Sequence, residues 1–242
     1  MVVDSPRRGQ RFLSDNEGMG EADIDAVGAL ADPVRRRLYE YVAGREGETS
    51  RAEAAGAVGV RRTLAAFHLD KLVEAGLLTT SRRKLSGREG PGSGRPAKLY
   101  RRADRQVNVH LPPRDYETAA HLLAEAVQHS GAEESLHAAA RAEGRRRGRA
   151  AAVERPVDAD GLCEVLTRLG YEPAADEEEP ETLRLRNCPF HTLARDFPPL
   201  ACGMNLELLR GLLAGVQAEG FTARMAPRGR HCCVTISKNK NY

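Results

Sequence analysis

The stretch from Ser50 to Gly76 constrains the fold of this chain more than any other. Ser50 followed by Glu53 is a capping-box signature, so a short helix begins there, and Gly59 marks the turn after it. A second helix then runs to Gly76, a usual C-terminal residue, with apolar side chains at helical spacing. Its predicted buried stripe is Ala65, Leu69, Leu72 and Val73. Two helices joined by a glycine turn are typical of a helix-turn-helix.

The opposite face of the second helix is polar and aromatic and opens with two arginines. Arg61 and Arg62 stand against the helix macrodipole, and a nearby phosphate would explain their placement. The residues of this helix that we expect to reach bases and phosphates are Arg61, Arg62, Thr63, Phe67 and Lys71.

A strongly basic hairpin follows. Residues 79–105 hold nine Lys or Arg against two acids, a net charge of +7, whereas the whole chain carries +3. Residues 78–85 and 98–102 are predicted to pair as strands, because the Gly-, Pro- and Ser-rich residues 87–96 cannot continue a ladder. A solvated charged hairpin is the alternative to a DNA contact. The hairpin residues expected to contact double-stranded DNA are Arg82, Arg83, Arg95 and Lys98.

Residues 21–103 resemble the ArsR-like winged helix-turn-helix transcription factors. The matching segments are Leu30-Ala-Asp-Pro-Val-Arg-Arg-Arg-Leu38, Phe67-His-Leu-Asp-Lys-Leu-Val-Glu-Ala-Gly-Leu-Leu78 and Ser93-Gly-Arg-Pro-Ala-Lys-Leu-Tyr-Arg101. The resemblance implies a DNA-binding transcriptional regulator in which helices after the wing pair two protomers. Such a homodimer suits a palindromic operator read by two recognition helices. Arg61 departs from the family pattern, which places a Ser or Thr cap there.

Composition limits the class of protein. The chain has 242 residues, 41% hydrophobic and 29% charged, which is enough for two modest domains. No run approaches the roughly 20 apolar residues of a membrane span, and no signal-peptide core is present, so we expect a cytoplasmic protein with no membrane partner. The chain has no phosphate-binding glycine motif, acid-base carboxylate pair or H-E-x-x-H, and we expect no enzyme.

We therefore expect an α+β protein with a winged helix-turn-helix, a helical dimerisation linker and a small C-terminal α+β sensor domain with an antiparallel sheet. The predicted boundaries are 1–20 for a disordered tail, with Met19 as an alternative start to Met1, 21–111 for the winged domain, 112–150 for the linker and 151–238 for the sensor. Residues 151–187 hold ten acids and four arginines, so DNA repels this half.

Three elements outside the helix-turn-helix carry further expectations. Ile24, Val27 and Leu30 are predicted to be the buried stripe of a first helix, and residues 107–111 a short strand. Residues 145–149 hold four arginines, predicted to be a solvated hinge rather than a DNA contact. The apolar seam of a helix over 116–128 is predicted to be Ala119, Leu122, Leu123, Ala126 and Val127.

Four of the five cysteines lie between residues 188 and 233, on three separate elements. Thiolates that converge in this way suit a soft metal or an iron-sulfur cluster. In an intracellular chain, free thiols, metal ligands or redox groups are favoured over structural disulfides. Alternation along the predicted last strand groups Cys232 with Val234 and Ile236, so Cys232 points inward and is preferred over Cys233 as a ligand.

The cysteine segments resemble the sensor half of the SufR-type iron-sulfur regulators. The matching residues are Asn187-Cys-Pro-Phe-His191, Cys202-Gly-Met-Asn-Leu206 and the late cysteine. The resemblance implies that Cys188, Cys202 and Cys232 hold a cluster, of the 4Fe-4S type, or another metal, with Cys233 and His191 as alternates. The candidates for a fourth ligand are His191, His231, Cys163 and a small molecule from outside the chain.

Other interpretations of the second half stay open. One is a redox-switch pair of cysteines, and another is a small core filled by cysteines, as free cysteines often do, which is the position expected of Cys163. A sensor of a small apolar ligand with no metal would line its pocket with Phe190, Phe197, Leu200, Met204 and Leu208, which otherwise read as core. A cysteine-dependent enzyme with Cys188 as nucleophile and His191 as base is the remote alternative, because no third group or oxyanion motif accompanies them.

Overall fold

The chain forms two compact units that divide after Arg114. The computed structural model describes residues 16–83, 96–151, 157–229 and 231–239. Most of the predicted tail and the tip of the basic hairpin, including Arg95, lie outside the described residues. Helices predicted as a separate linker region belong to the same unit as the predicted sensor. Within the described part of the chain, no helix is long and apolar enough to cross a membrane.

The first unit is a winged helix-turn-helix. A three-stranded antiparallel sheet of order β1-β3-β2 flanks its helices, and β2 and β3 are the predicted hairpin strands. The elements are α1 (Asn16–Ala29), α2 (Pro33–Ala43), β1 (Thr49–Ser50), α3 (Arg51–Val58), α4 (Arg62–Glu74), β2 (Leu78–Arg83) and β3 (Ala97–Arg102).

Local signals fix the helix ends of this unit as predicted. Asp32 caps α2 by accepting from the backbone amides of Val34 and Arg35. Ser50 and Glu53 form the reciprocal capping box of α3. Gly76, after α4, has a φ of +69°, the left-handed conformation that favours glycine. The fully buried core side chains include Leu38, Val42, Ala65, Leu69, Leu72 and Tyr100.

Two predictions for this unit are wrong. Ile24 and Val27 are half exposed, because α1 packs instead through Ala26 and the nearly buried Asp23, whereas Leu30, the third predicted residue, packs against the core. Residues 107–111 form no strand, since the Asn108 amide donates to the Asp23 carboxylate at 3.0 Å rather than to a neighbouring strand. Arg105 also pairs with Asp23, so a buried carboxylate fixes the segment that follows β3.

The second unit is α+β, as predicted. Its antiparallel sheet has the order β4-β5-β7-β6, and the register pairs Thr182 with Ser237 and Leu183 with Ile236. Its core contains Leu162, Leu185 and Leu209. The elements are α5 (Tyr116–Ser130), α6 (Glu133–Ala151), α7 (Ala159–Arg168), β4 (Pro173–Ala175), β5 (Thr182–Leu185), α8 (His191–Asp196), α9 (Pro198–Gly215), β6 (Phe221–Met225) and β7 (Val234–Lys238).

Helices α6 and α9 cross with their backbones in contact. Each contributes two glycines one turn apart, Gly144 and Gly148 on α6 and Gly211 and Gly215 on α9. A methyl group at Gly144 would lie 1.9 Å from the Leu208 carbonyl oxygen. The prediction of a hinge at residues 145–149 is therefore wrong: this segment is helical through Ala151 because close packing against α9 holds it.

Helix α5 buries little of its apolar surface in its own chain. Ala124 is its single buried residue among those described, whereas Leu122 and Leu123 are 62% and 67% exposed. The predicted apolar seam thus exists but is not covered in the single chain. Tyr116 at the start of the helix is also exposed.

Candidate functional site: nucleic-acid interface and cysteine cluster

Helix α4 presents an exposed face to solvent, as the spacing predicted. Arg61, Arg62, Thr63, Phe67 and Lys71 are all exposed. Phe67 and Leu64 keep 55% and 41% of their surface, which is unusual for large apolar side chains in a small domain. Arg61 occupies the N-cap position of α4 and makes no capping hydrogen bond with its side chain.

The cations predicted for this interface differ in how they are paired. Lys71 forms an ion pair with Glu74 at 2.6 Å, and Lys98 forms one with Asp70 at 2.7 Å. The three arginines Arg61, Arg62 and Arg82 have no carboxylate partner among the described residues.

A polar network that the sequence did not reveal ties α4 to the rest of the unit. The Tyr100 hydroxyl donates to Asp70 Oδ1 at 2.7 Å, and Arg51 Nε donates to the Tyr100 oxygen at 2.8 Å. Burial and the bond to Asp70 raise the pKa of Tyr100 to about 12. The network joins α3, α4 and β3, so it fixes the exposed face of α4 relative to the strands of the wing. Its members are too far apart in sequence for spacing to reveal it.

The second unit gathers four cysteines from three places. Cys188 follows β5, Cys202 lies near the start of α9, and Cys232 and Cys233 come directly before β7. Hydrogen bonds join the thiols in two pairs, Cys188 with Cys232 and Cys202 with Cys233. Cys232 is 2% exposed whereas Cys233 is half-buried, which is the inward preference that alternation predicted, although both cysteines lie just before β7 and not within it.

The environment separates Cys188, Cys202 and Cys232 by the acidity of their thiols. A hydrogen bond to Cys232, with burial, raises the pKa of Cys188. Burial and a bond to Cys233 raise the pKa of Cys202 to about 12. Cys232 accepts from Cys188, from the Val234 amide and from Asn205, and these bonds lower its pKa to about 7.

Asn205 and Tyr171 support the cluster, and sequence reasoning missed both. Asn205 Nδ2 donates to Cys232 Sγ at 3.2 Å, and the buried Tyr171 hydroxyl donates to Asn205 Oδ1 at 2.5 Å. Burial, with the neighbouring Cys232 and Cys188, raises the pKa of Tyr171. Asn205 follows Cys202 by one helical turn, and this spacing was the available signal.

Other predicted candidates lie apart from the cluster. His191 is exposed, and no described contact joins its ring to Cys188. Cys163 is half-buried on α7, where burial and Asp160 raise its pKa. Across the described ranges, no three His, Cys, Asp or Glu side chains are arranged to hold a metal ion.

A cavity lies beside the cluster, between α6, α9 and the loops after α7 and Cys188. Phe190 and Leu208, both predicted to line a small-molecule pocket, belong to its wall. Phe197, Leu200 and Met204 are not among the residues described as lining it.

Comparisons with known proteins gave a family match and a structural match. A family model described as "Helix-turn-helix domain" matches residues 30–81. One similar solved structure is the homodimeric winged helix-turn-helix DNA-binding domain (fragment 1–100) of Mb0332 from Mycobacterium bovis, a possible ArsR-family transcriptional regulator. It is 24% identical, covers 43% of this chain and 76% of that chain, and superposes with a TM-score of 0.27. No curated protein matches the chain. The N-terminal unit is a winged helix-turn-helix domain, a DNA-binding fold.

Proposed function

We propose that this winged helix-turn-helix protein is a homodimeric transcriptional regulator that binds a palindromic operator through α4 and its basic wing. The observation that carries the DNA contact is the exposed face of α4, where Arg61 and Arg62 have no carboxylate partner in the part of the chain that the structure describes. Arginines free of ion pairs neutralise phosphates without first breaking a protein contact. Phe67 and Leu64 beside them offer the apolar contact that a thymine methyl group accepts.

The DNA contact is tested by removing one of these charges. Arg62→Ala is expected to weaken operator binding several-fold and to reduce the slope of log K against log salt by about 1, because one phosphate contact is lost. Arg168→Ala is the matched control, since it removes the same charge from α7, in the acidic half of the chain. Fluorescence anisotropy over a salt series measures both. Equal slopes for Arg62→Ala and the unaltered protein would refute this surface.

The second unit is proposed to sense its signal through the cysteine cluster. Cys188, Cys202 and Cys232 come from three separate elements, and Cys233 lies with them. The donor set is sulfur alone, which fits an iron-sulfur cluster or another soft metal. Asn205 would remain to hydrogen-bond the Cys232 sulfur, the support that metal-bound thiolates usually have.

The pairing of the thiols bears on how the sensor works. Since no three ligands surround one point in the described residues, binding a metal would require the two thiol pairs to move relative to each other. Loaded and unloaded states would then differ in the positions of β7, α9 and the segment after β5, and such a difference can couple to DNA affinity. The same pairing favours a redox sensor as the second candidate, because two thiols in contact need only an oxidant to become a disulfide.

Anaerobic purification separates these candidates. A cluster gives a brown protein whose visible absorption is lost in Cys188→Ser, Cys202→Ser and Cys232→Ser and retained in the control Cys163→Ser. A redox sensor gives a colourless protein that loses two hydrogen atoms per disulfide on oxidation, measured by intact mass. A colourless, metal-free protein whose DNA affinity does not respond to oxidants would overturn both.

A further inference from the structure

The cavity beside the cysteine cluster has the lining of a small-molecule site. Its empty space of about 400 Å³ includes space open to solvent, and the part that water-sized groups can occupy measures about 90 Å³. At about 10–15 Å³ of such volume for each water-sized group, this part holds roughly six to nine of them. Its wall is mainly aliphatic and aromatic, with Leu169, Phe190, Leu208 and Leu212 from the two helices and the two loops.

Arg147 is the one charged residue described in this lining. Its Nε lies 2.7 Å from Glu143 Oε1, but Arg146 already holds the same carboxylate through two bonds of 2.7 Å. Two guanidinium groups thus share one carboxylate, which leaves a net positive charge at the cavity. The Arg147 side chain is also 43% exposed, so a competing anion can replace a contact that is weak at the surface.

We propose that this cavity binds a small amphipathic carboxylate, with its aliphatic or aromatic body against the leucines and Phe190 and its carboxylate on Arg147. A guanidinium is the side chain best suited to a carboxylate, because its planar fork donates two parallel hydrogen bonds. The apolar wall provides the larger part of the binding energy, and the charge sets which molecules are accepted.

The site shares structure with the thiol cluster. Tyr171 lines the cavity, and its hydroxyl bonds Asn205, which in turn donates to Cys232. Phe190 lies two residues after Cys188 on the same loop. An occupant of the cavity would contact Tyr171 and Phe190, which are each linked to one of the thiols, and any effect of the ligand on the thiol state would be reciprocal. This consequence rests on the proposed function of the second unit as the sensor, but binding itself does not.

Calorimetric titration of the full chain with sodium octanoate and with 1-octanol tests the proposal. Octanoate is expected to bind, and Arg147→Gln to weaken its binding at least tenfold while leaving 1-octanol within twofold. Arg149→Gln is the matched control: it removes an exposed arginine of the same helix, is not part of the described lining, and should leave both ligands within twofold. Phe190→Ala should weaken both ligands alike, since it removes part of the apolar wall.

No binding of octanoate by the unaltered protein at millimolar concentration would overturn the site, and so would equal losses in Arg147→Gln and Arg149→Gln. These titrations contain neither DNA nor metal. A chain that binds octanoate but no operator would refute the proposed function and leave the site standing, and the reverse result would refute the site alone.

Discussion

His121 joins two elements of the second unit with both of its ring nitrogens. Nδ1 lies 2.8 Å from the Glu117 carbonyl oxygen on α5, and Nε2 lies 2.8 Å from Asp196 Oδ2 on α8. Only the imidazolium can donate to both acceptors. The bonds to Asp196 and Glu117 accordingly raise the pKa of His121 above its ordinary 6.5. Arg195 also faces Asp196, at 3.6 Å, and Phe197 packs edge-on against the ring.

The contact should therefore stabilise the unit in acid and not in base. The stabilisation that this contact gives is fully present below 6.5, the pKa of His121 in the unfolded chain. It is lost as the pH rises through the higher pKa of His121 in the folded protein. We expect His121→Gln to cost up to about 1 kcal/mol near pH 5.5, because the pair is partly exposed, and little near pH 8.5. Denaturant unfolding at both pH values measures the difference.

His129→Gln is the control for this prediction. His129 makes the same bond to the carbonyl four residues earlier, but no described carboxylate meets its other nitrogen. His129→Gln therefore removes a histidine from the same helix without removing an ion pair. An equal cost for His121→Gln at both pH values would contradict the assignment.

Single residues were predictable from the sequence where the signal was local. The inward position of Cys232 follows from alternation, and the exposure of Phe67 follows from helical spacing. Asn205 was not predicted, because its partner Cys232 lies 27 residues away and is brought to it by the sheet. The ion pair of Lys98 with Asp70 is non-local in the same way.

The crossing of α6 and α9 is the tightest packing between elements of the second unit. A methyl group at Gly148 would lie 2.5 Å from the Leu212 carbonyl oxygen and 2.8 Å from Gly215 Cα, and neither is a side chain that can turn away. We expect Gly148→Ala to destabilise this unit by about 2–3 kcal/mol, since the two helices must separate. The measurement is the midpoint of chemical unfolding of the second unit.

Gly56→Ala is expected to have the opposite effect on stability. Gly56 lies in α3 with nothing within 4 Å of an added methyl group, so alanine should stabilise the first unit by about 0.5–1 kcal/mol through helix propensity. A Gly148→Ala protein as stable as the unaltered one would show that the helices do not touch as described.

The errors at the level of helices and strands have a common cause. Local apolar spacing placed Ile24 and Val27 in the core, but the burial of Asp23 through Arg105 and Asn108 turns the other face of α1 inward. Residues 145–149 were predicted to be a solvated hinge because the α9 glycines that pack against this segment lie more than sixty positions further along the chain. The caps and glycine turns of α2, α3 and α4 needed no distant partner and were predicted correctly.

The exposed seam of α5 predicts how the molecule assembles. Leu122 and Leu123 form an apolar surface that a second copy of the helix would cover, the pairing proposed for the dimer. Leu123→Glu should give monomers at micromolar concentration and weaken operator binding more than tenfold, because each monomer would hold one half-site alone. Light scattering coupled to size exclusion measures the mass.

Gln128→Glu adds the same charge to the opposite side of α5 and should leave the mass unchanged. A dimer that survives Leu123→Glu would place the pairing surface elsewhere.

The class of each unit was predictable from the sequence, since periodicity and charge change sharply between them. The uncovered surface of α5 was not, because spacing reveals an apolar face but not what covers it.

The glycine crossing has a mechanical consequence for signalling. Side chains between two helices can change rotamer and absorb a small displacement, but two backbones in direct contact cannot. Helices α6 and α9 are therefore expected to move as one rigid body. We expect a shift of Cys202 near the start of α9 to move α6 as well, because the two helices are in backbone contact where they cross.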